Sequence, residues 1–338
     1  MQSLVGKDEE IVITSIIDAQ DGLVMTGSVK NDNYRVLVLK VDKNGELEWR
    51  KTYGQNSVDY EGQNIVTIDD GFLICGCSEG HASEDGGRDW KAYVLRLNSN
   101  GEEMWERSFR VKGNECAYSL VANQDILLFG ETRDMSGNAH FFLLKLTNKG
   151  EEIWREIYCI AEDVVAGGLV PLDQDYLLVG SLTRNGKWHL HLLGVNGDGS
   201  KIWERSHKDA LVYDIINGED RLFLTGMKGE RVYLARISED GEMVWERTYD
   251  NGCGVSIDCK KDKIIIAGEI EAGESYLPVL YGISEDGAVE WKRVFDGEGF
   301  IEKVKQLDDG FVLFRHGLTP REHTEIILVD GDGLDQTM

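Results

Sequence analysis

The chain has 338 residues, of which 61 are Asp or Glu and 36 are Lys or Arg, so its formal net charge is −25. A surface this acidic repels phosphate groups, which disfavours binding to nucleic acids and to anionic membranes. No stretch reaches the roughly 18 to 20 consecutive apolar residues of a membrane span, and the first ten residues lack the apolar region of a signal peptide. We therefore expect a cytoplasmic protein, or an extracellular one if a leader has been removed.

One sequence pattern returns along the whole chain. The segment 40–53, KVDKNGELEWRKTY, reappears in related form at 96–109, 145–158 and further on. Its turn glycines are Gly45, Gly101, Gly150, Gly199, Gly241, Gly287 and Gly333. A period of about 40 to 50 residues with several short strands per unit is typical of a β-propeller, whose units bury their faces only by stacking.

In chain order, the repeats predict an all-β, seven-bladed β-propeller with four-stranded blades. Blade 2 shows the plan, with strands predicted at 63–68, 71–77, 92–97 and 102–109. We expect a single domain over 1–338, because stacked repeats form one cooperative body. The predicted blades span approximately 11–54, 60–110, 115–158, 163–207, 208–249, 253–295 and 298–338, the last completed by 1–5.

The last repeat departs from the others. Arg315 stands where the second strand of the other blades has a glycine, and Thr337 stands where they have a tryptophan. The chain also ends too early for a full outer strand. We therefore predict that the N-terminal and C-terminal segments share the outer strand of blade 7 and close the ring, which would hide an exposed edge.

A tryptophan four residues after each turn glycine is predicted to be structural. A glycine also recurs inside the second strand, at Gly27, Gly76 and their equivalents, and such a glycine indicates the close approach of a backbone or a large ring. We expect the recurring indole ring to be the group that packs there. The structural tryptophans are Trp49, Trp105, Trp154, Trp203, Trp245 and Trp291.

Cysteines and histidines do not predict a metal site or a redox centre. The six cysteines do not recur in register with the repeats, and we expect them to be reduced, packed thiols. His189 and His191 project to one face of a strand, but no third ligand follows at metal-binding spacing nearby. We expect no metal and no cofactor.

The repeat of Asp-Gly-Phe-Leu-Ile-Cys-Gly at 70–76 and Trp90 to Trp105 resembles the tryptophan-docking repeats of quinoprotein-like propellers. It is also similar to a large class of bacterial and archaeal propellers with Asp-x-x-Gly-x-x-x-Trp-x-x-x-Tyr repeats. Quinone-dependent dehydrogenases of this superfamily would imply a quinone cofactor, a calcium-binding carboxylate set and, in some classes, a vicinal disulfide. This chain has no Cys-Cys pair. An outer-membrane assembly lipoprotein with similar repeats implies scaffolding without chemistry.

The longest loops are those predicted between strands two and three, and we expect them to share one face with the loops that join blades. Function in propellers concentrates on such loops, so we interpret this face as the binding site of a protein or peptide. The candidate binding residues are Arg88, Trp90, Arg133, His140, Trp188, His189, Arg315, His316, Arg321 and His323. Unconstrained surface loops are the simpler alternative. Trp90 and Trp188 also recur in register with Tyr34 and Tyr276, which favours packing between blades.

A set of basic residues occupies one register position in nearly every blade: Arg35, Lys91, His140, His189, Arg231 and His323. They could bind an anionic group, but pairing with carboxylates of neighbouring blades is the interpretation we favour.

Our leading hypothesis is a non-enzymatic, monomeric binding or scaffolding propeller. One alternative is a hydrolase or lyase with its site at the mouth of the central channel, where Asp214, Lys303 and Lys305 are the candidate charged residues. Another is a sensor of small anions or carbohydrates.

Overall fold

The computed structural model describes residues 9–80, 89–218, 221–308, 310–318 and 323–329. Within these ranges every regular element is a β-strand. No helix there is long and apolar enough to cross a membrane. The termini, including the segments predicted to close the ring, lie outside the described residues.

The strands follow one another as antiparallel neighbours. The first sheet contains β1 (Glu10–Ala19), β2 (Gly22–Lys30), β3 (Tyr34–Asp42) and β4 (Leu47–Tyr53). The second contains β5 (Tyr60–Ile68), β6 (Gly71–Gly80), β7 (Asp89–Asn98) and β8 (Glu103–Phe109). The third contains β9 (Asn114–Ala122), β10 (Ile126–Arg133), β11 (Ala139–Leu146) and β12 (Glu152–Ala161). The fourth contains β13 (Val164–Pro171), β14 (Tyr176–Arg184), β15 (Lys187–Val195) and β16 (Lys201–Lys208).

The remaining strands divide unevenly. One sheet contains β17 (Ala210–Gly218), β18 (Arg221–Lys228), β19 (Arg231–Ile237), β20 (Met243–Lys260), β21 (Lys263–Ala272), β22 (Ser275–Ile283) and β23 (Val289–Val294). The last contains β24 (Gly299–Leu307), β25 (Gly310–Gly317) and β26 (His323–Val329).

The prediction of seven four-stranded blades is wrong. The strands of the described ranges form six sheets, and five of these have four strands or more. β20 is one continuous strand that joins two of the predicted blades: Asn251 still pairs with Arg231 of β19, and the next residue, Gly252, already pairs with Ile270 of β21. No unpaired residue separates the two halves, so a seven-stranded sheet results.

The sheets are arranged around a central channel. The first strand of each sheet and the second half of β20 lie innermost, and neighbouring inner strands contact one another in chain order. β24 contacts β1, and the Thr324 hydroxyl donates a hydrogen bond to the Ile11 carbonyl, so the last sheet lies against the first within the described residues. Apolar side chains fill the space between sheets, as in the cluster of Leu73, Ala117 and Phe142. This all-β architecture is a propeller.

The recurring glycine of the second strand meets a backbone and not the tryptophan ring we expected. A Cβ on Gly76 would lie 1.8 Å from the Glu61 carbonyl oxygen, and one on Gly226 would lie 1.9 Å from that of Leu211. In each case the inner strand has a β-bulge close by. The bulge brings the carbonyl so close to the second strand that only glycine fits.

The tryptophan rings lie instead over the turn glycine of the next repeat. Ring atoms of Trp105 come within 2.9 Å of where a Cβ on Gly150 would be, and those of Trp154 come equally close at Gly199. Trp49, Trp203 and Trp245 contact Gly101, Gly241 and Gly287 in the same way. Trp291 contacts Phe311, at 5.8 Å between ring centroids, and its turn glycine lies outside the described residues. The outer strand of one repeat is thus tied to a turn of the next.

Candidate functional site

The inner strands line the central channel, where a cavity of about 240 Å³ opens. Asp214 of β17 and Lys303 of β24 form an ion pair there at 2.9 Å. The Asp214 carboxylate also accepts hydrogen bonds from the Ser256 hydroxyl at 3.1 Å and the Ile257 amide at 3.2 Å. One carboxylate therefore connects three inner strands.

Lys305, the third charged residue predicted at the channel, is also paired. Its ammonium group lies 3.0 Å from Asp18 and 3.6 Å from Asp258. Burial raises the pKa of the nearby Glu302 carboxyl. No histidine lies among the described residues that line the cavity. The three nominated residues thus form ion pairs that join different inner strands.

A second, larger cavity of about 370 Å³ lies between the second and third sheets. Its walls come from the last residues of β6 and β10 and the first residues of β5, β7, β9 and β11. It therefore opens on the face that carries the loops between strands two and three. The lining residues are Glu61, Cys77, Trp90, Asn114, Glu115, Cys116, Tyr118, Glu131, Thr132, Arg133 and Ala139. We call this cavity the inter-sheet pocket.

Glu131 is an acid of the inter-sheet pocket whose pKa is raised by its surroundings. Burial raises the pKa of its carboxyl to about 7, although a hydrogen bond from Tyr118 acts in the opposite direction. Asp163 adds to the increase, and Arg133 opposes it. Burial also raises the pKa of the Tyr118 phenol, so that residue is a hydrogen-bond donor near neutral pH. Glu131 can therefore gain or lose a proton near neutral pH.

Glu115 has one satisfied and one unsatisfied carboxylate oxygen. Its side chain is buried. Oε1 accepts hydrogen bonds from the Lys112 and Gly113 amides and from the Thr132 hydroxyl, at 3.0 Å in the last case. Oε2 has no hydrogen-bond partner among the described residues. A buried acceptor without a donor costs about 1 to 3 kcal/mol, and more when it is charged.

Two thiols form part of the same wall. The sulfur atoms of Cys77 and Cys116 lie 2.6 Å apart, on neighbouring sheets. The contact with Cys116 and burial together raise the pKa of Cys77. Its Sγ also donates a hydrogen bond to Glu61 Oε2 at 3.7 Å. All six cysteines lie within the described ranges and are free thiols.

Two of the predicted binding residues, Trp90 and Arg133, line the inter-sheet pocket. The Trp90 backbone amide donates a hydrogen bond to Asn114 Oδ1 at 3.0 Å. The Arg133 guanidinium binds Asp163 at 2.5 Å and the carbonyls of Gly137 and Glu162. Arg133 is therefore already engaged by its own chain.

The other predicted binding residues lie elsewhere. His140 is buried, binds Asp134 at 3.0 Å and contacts the Cys159 carbonyl at 2.8 Å. Trp188 and His189 are half-buried in the fourth sheet. Arg315 and His316 lie on β25 in the last sheet, His316 against the Phe300 ring. Arg88 and Arg321 lie outside the described residues, as does the side chain of His323.

Three residues of the predicted basic ring have partners within the chain. Arg35 donates a hydrogen bond to the Tyr53 carbonyl at 3.2 Å, and Arg231 donates one to the Tyr249 carbonyl at 2.6 Å. These two partners are backbone carbonyls of the paired outer strand, where we had expected carboxylates, whereas His140 binds the Asp134 carboxylate. A cation held by a carbonyl has fewer donors left for an external anion.

Sequence reasoning missed the acids of the inter-sheet pocket. Glu131 directly follows the second-strand glycine, at the end of the apolar run Ile-Leu-Leu-Phe-Gly. A carboxylate at the end of such a run can indicate a functional residue, because a strand covered on both faces seldom contains a charge. Glu61 and Glu115 start inner strands and carry no comparable signal.

No family model matches the sequence, and no curated protein matches it. Among solved structures, puromycin hydrolase has a TM-score of 0.57 at 12% identity, over 97% of this chain and 52% of that one. Acylaminoacyl peptidase from Pyrococcus horikoshii has the same values. The β-propeller domain of the trilobed protease from Pyrococcus furiosus has a TM-score of 0.53 at 10% identity, over 95% of this chain and 96% of that domain.

These similarities are similarities of fold. The chain is a β-propeller. It spans about half the length of the first two structures. The resemblance to quinoprotein-like propellers remains a prediction, because no such family is among the similar structures named here.

Proposed function

We propose that this propeller is a non-enzymatic binding module whose inter-sheet pocket receives a cationic group, a lysine side chain or a free amino group, of a protein or peptide partner. The observation that carries the proposal is the composition of that pocket: Glu61, Glu115 and Glu131 line it together with the rings of Trp90 and Tyr118. Acids beside aromatic rings are the surroundings that an organic cation prefers.

Charge balance supports a cation over an anion. Arg133, the one basic residue among the described residues of the pocket wall, is engaged by Asp163 and two carbonyls. Glu115 Oε2 has no donor within the described residues. A buried carboxylate is stabilised by a charged donor. The net charge of −25 also attracts cations over longer distances.

Size and position support a protein or peptide as the source of this cation. A volume of about 370 Å³ accommodates one side chain or a chain terminus with room to spare. The pocket opens on the face where the loop 81–88 begins and ends, between β6 and β7. A partner docked on that face could insert one basic side chain into the pocket.

The proposal is tested with short peptides that have a blocked N-terminus and contain either lysine or Nε-acetyl-lysine, titrated into the protein by calorimetry. We expect binding of the lysine peptides, at least ten-fold weaker binding after acetylation, and a similar loss in Glu131→Gln. Glu239→Gln, an exposed acid at the turn between β19 and β20, is the matched control and should bind like the wild type. Equal binding of both peptides, or equal losses in both variants, would refute the proposal.

The loop adds a second, independent test. Residues 78–80 and 89, which the sequence had placed in this loop, belong to β6 and β7, so the change is confined to 81–88. Shortening 81–88 to a tight turn should leave the fold intact, because loops cost little to close. Capture of a native partner from lysate should then be lost, and charge reversal at Lys43 or Glu239, on turns between third and fourth strands, should leave capture unchanged. Loss of capture in the charge reversals alone would place the binding face on the other side.

The hydrolase alternative has one observation in its favour, the fold shared with puromycin hydrolase and an acylaminoacyl peptidase. Its channel candidates, Asp214 and Lys303, are paired with each other. Chromogenic aminoacyl substrates test it directly. Turnover that disappears in Asp214→Asn while the variant stays folded would favour the enzyme over the binding module.

A further inference from the structure

A cysteine, a histidine and a glutamate come together between the third and fourth sheets, away from the inter-sheet pocket. Cys159 lies on β12, His191 on β15 and Glu204 on β16. Their Sγ, imidazole nitrogen and carboxylate oxygen atoms all lie within 4.8 Å of one another. Sequence spacing did not indicate this cluster, because the three residues lie on three different strands of two sheets.

Strand pairing places the histidine and the glutamate on the same face. His191 pairs directly with Ser206, and Glu204 is two residues from Ser206 along β16. Residues two apart on a strand point to the same side, so Glu204 is the diagonal neighbour of His191. Nε2 of His191 lies 3.4 Å from Glu204 Oε1.

A β-bulge directs the cysteine toward them. β12 has an extra residue opposite His140, and within that bulge Cys159 has a φ of 59°, in the left-handed region. Residues other than glycine, asparagine or aspartate are rare in this region, and placing one there costs of the order of 1 kcal/mol. His140 contacts the Cys159 carbonyl at 2.8 Å and so holds the bulge. The result is a distance of 3.0 Å from Cys159 Sγ to His191 Nε2.

The two distances approach those of a metal centre. Zinc binds sulfur at about 2.3 Å, imidazole nitrogen at about 2.0 Å and carboxylate oxygen at about 2.1 Å, so tetrahedral ligand atoms lie roughly 3.3 to 3.6 Å apart. The Nε2 to Oε1 distance of 3.4 Å falls in that range. The Sγ to Nε2 distance is 3.0 Å. Binding of the ion would therefore move the thiolate outward by about half an ångström.

The other atoms of these side chains have partners that suit metal ligands. His191 Nδ1 lies 2.8 Å from the Ser206 hydroxyl, which fixes the ring and leaves Nε2 facing the cluster. Lys201 pairs with Glu204 through Oε2, at 2.6 Å. Oε1 faces His191, at 3.4 Å, and the Arg184 guanidinium lies 3.7 Å from the same oxygen. A single ring nitrogen carries one proton or one lone pair. It therefore cannot make good hydrogen bonds to a thiol and a carboxylate at once, whereas a cation between them would bind all three.

We propose that Cys159, His191 and Glu204 form a zinc site that ties β12 of the third sheet to β15 and β16 of the fourth. One sulfur, one nitrogen and one oxygen ligand favour zinc over calcium or magnesium, which prefer oxygen alone. His191 is buried, while Glu204 is exposed, so water can reach a fourth coordination position. The site lies outside the inter-sheet pocket and does not depend on the proposed binding function.

Cobalt substitution tests the site without any assay of activity. The chain, treated with a chelator and titrated with Co²⁺, should show one equivalent with a thiolate-to-cobalt charge-transfer band, and zinc should abolish that band. Cys159→Ser should remove the band, and Cys159→Ser and Glu204→Gln should each weaken zinc binding at least about ten-fold. Zinc should also raise the melting temperature of the wild type and not of Cys159→Ser.

Two variants serve as matched controls. Cys77→Ser removes a thiol of the close pair Cys77 and Cys116, outside the proposed site. His189→Gln removes the imidazole two residues before His191 on the same strand face. Both should keep the band and the affinity. A wild type without the band, or a band that survives Cys159→Ser and disappears in Cys77→Ser, would overturn the proposal. If Cys159→Ser does not fold, the zinc affinity of Glu204→Gln tests the proposal instead, because Glu204 is exposed and its replacement should leave the fold intact.

Discussion

Trp154 and Gly199 belong to neighbouring sheets and are in contact: ring atoms of the tryptophan lie 2.9 Å from where a Cβ on the glycine would be. Gly199 also has a φ of 87°, in the left-handed region. An alanine at this position would meet both the ring and the unfavourable backbone conformation.

The first prediction concerns this contact. Gly199→Ala should destabilise the fold by more than Gly186→Ala. Gly186 has a φ of 69° but nothing within 4 Å of its Cβ position, so both variants bear a backbone cost of about 1 kcal/mol. The difference between their free energies of unfolding, measured in urea, is the cost of displacing the ring. Equal values for the two variants would mean that the Trp154 ring can move aside at no measurable cost in free energy.

The second prediction removes the ring. Trp154→Ala should cost about 2 to 4 kcal/mol, somewhat less than for a fully buried tryptophan because the ring is half-buried. Ile160→Ala, at a side chain that is 75% exposed on the same strand, should change stability by less than about 0.5 kcal/mol. Chemical denaturation measures both. A Trp154→Ala variant as stable as Ile160→Ala would exclude an important packing role.

The third prediction concerns pH. Because the pKa of Glu131 is raised in the fold, from 4.5 to about 7, the folded chain binds more protons than the unfolded one between these values. The contribution of this group to stability is therefore fully present below about pH 4.5 and is lost as pH rises through 7. Asp163, Arg133 and Tyr118 are the groups that face it.

Glu131→Gln should remove this pH dependence. The variant should gain stability relative to the wild type by about 1 to 3 kcal/mol between pH 5 and pH 8. Melting temperatures at several pH values provide the measurement, with Glu239→Gln as the control. If the two variants follow the wild type in parallel across that range, Glu131 titrates normally.

The fourth prediction compares two ion pairs. Asp214 and Lys303 have side chains that are 17% and 25% exposed, whereas Lys260 and Asp308 are 42% and 98% exposed at a similar distance. A double-mutant cycle with Asp214→Asn and Lys303→Met should give a coupling of about 1 to 3 kcal/mol. The corresponding cycle at Lys260 and Asp308 should give less than about 0.5 kcal/mol. A larger coupling in the exposed pair would contradict the role assigned to the channel pair.

Local sequence patterns predicted the strands well where one residue type has one physical role. Gly101 and Gly150 sit in turns with φ of 68° and 76°, as a tight hairpin requires. The apolar runs 72–75 and 92–95 are buried on both faces. The partition into blades could not be predicted in the same way. Whether a strand ends or continues at Asn251 depends on partners in β19 and β21, which are distant along the chain.

The sites were harder to predict from the sequence than the strands. Of the predicted binding residues, Trp90 and Arg133 line the inter-sheet pocket, but its acids went unnoticed. Glu131 meets Tyr118 through the pairing of β9 and β10 within the third sheet. Cys159 meets His191 only because the third and fourth sheets pack against each other. Repeats in the sequence describe what each unit shares, and a site between two units depends on the residues in which those units differ.

The amino-acid sequence by itself determined an all-β chain of stacked repeats, because strand periodicity, turn glycines and the recurring tryptophan are local properties. Only the tertiary structure decided which sheets are continuous, that the tryptophan rings lie over turn glycines, and which polar side chains share a cavity. The physical reason is that burial and ion pairing depend on distances between strands from different repeats. Those distances follow from the packing of whole sheets around the channel, which no single repeat encodes.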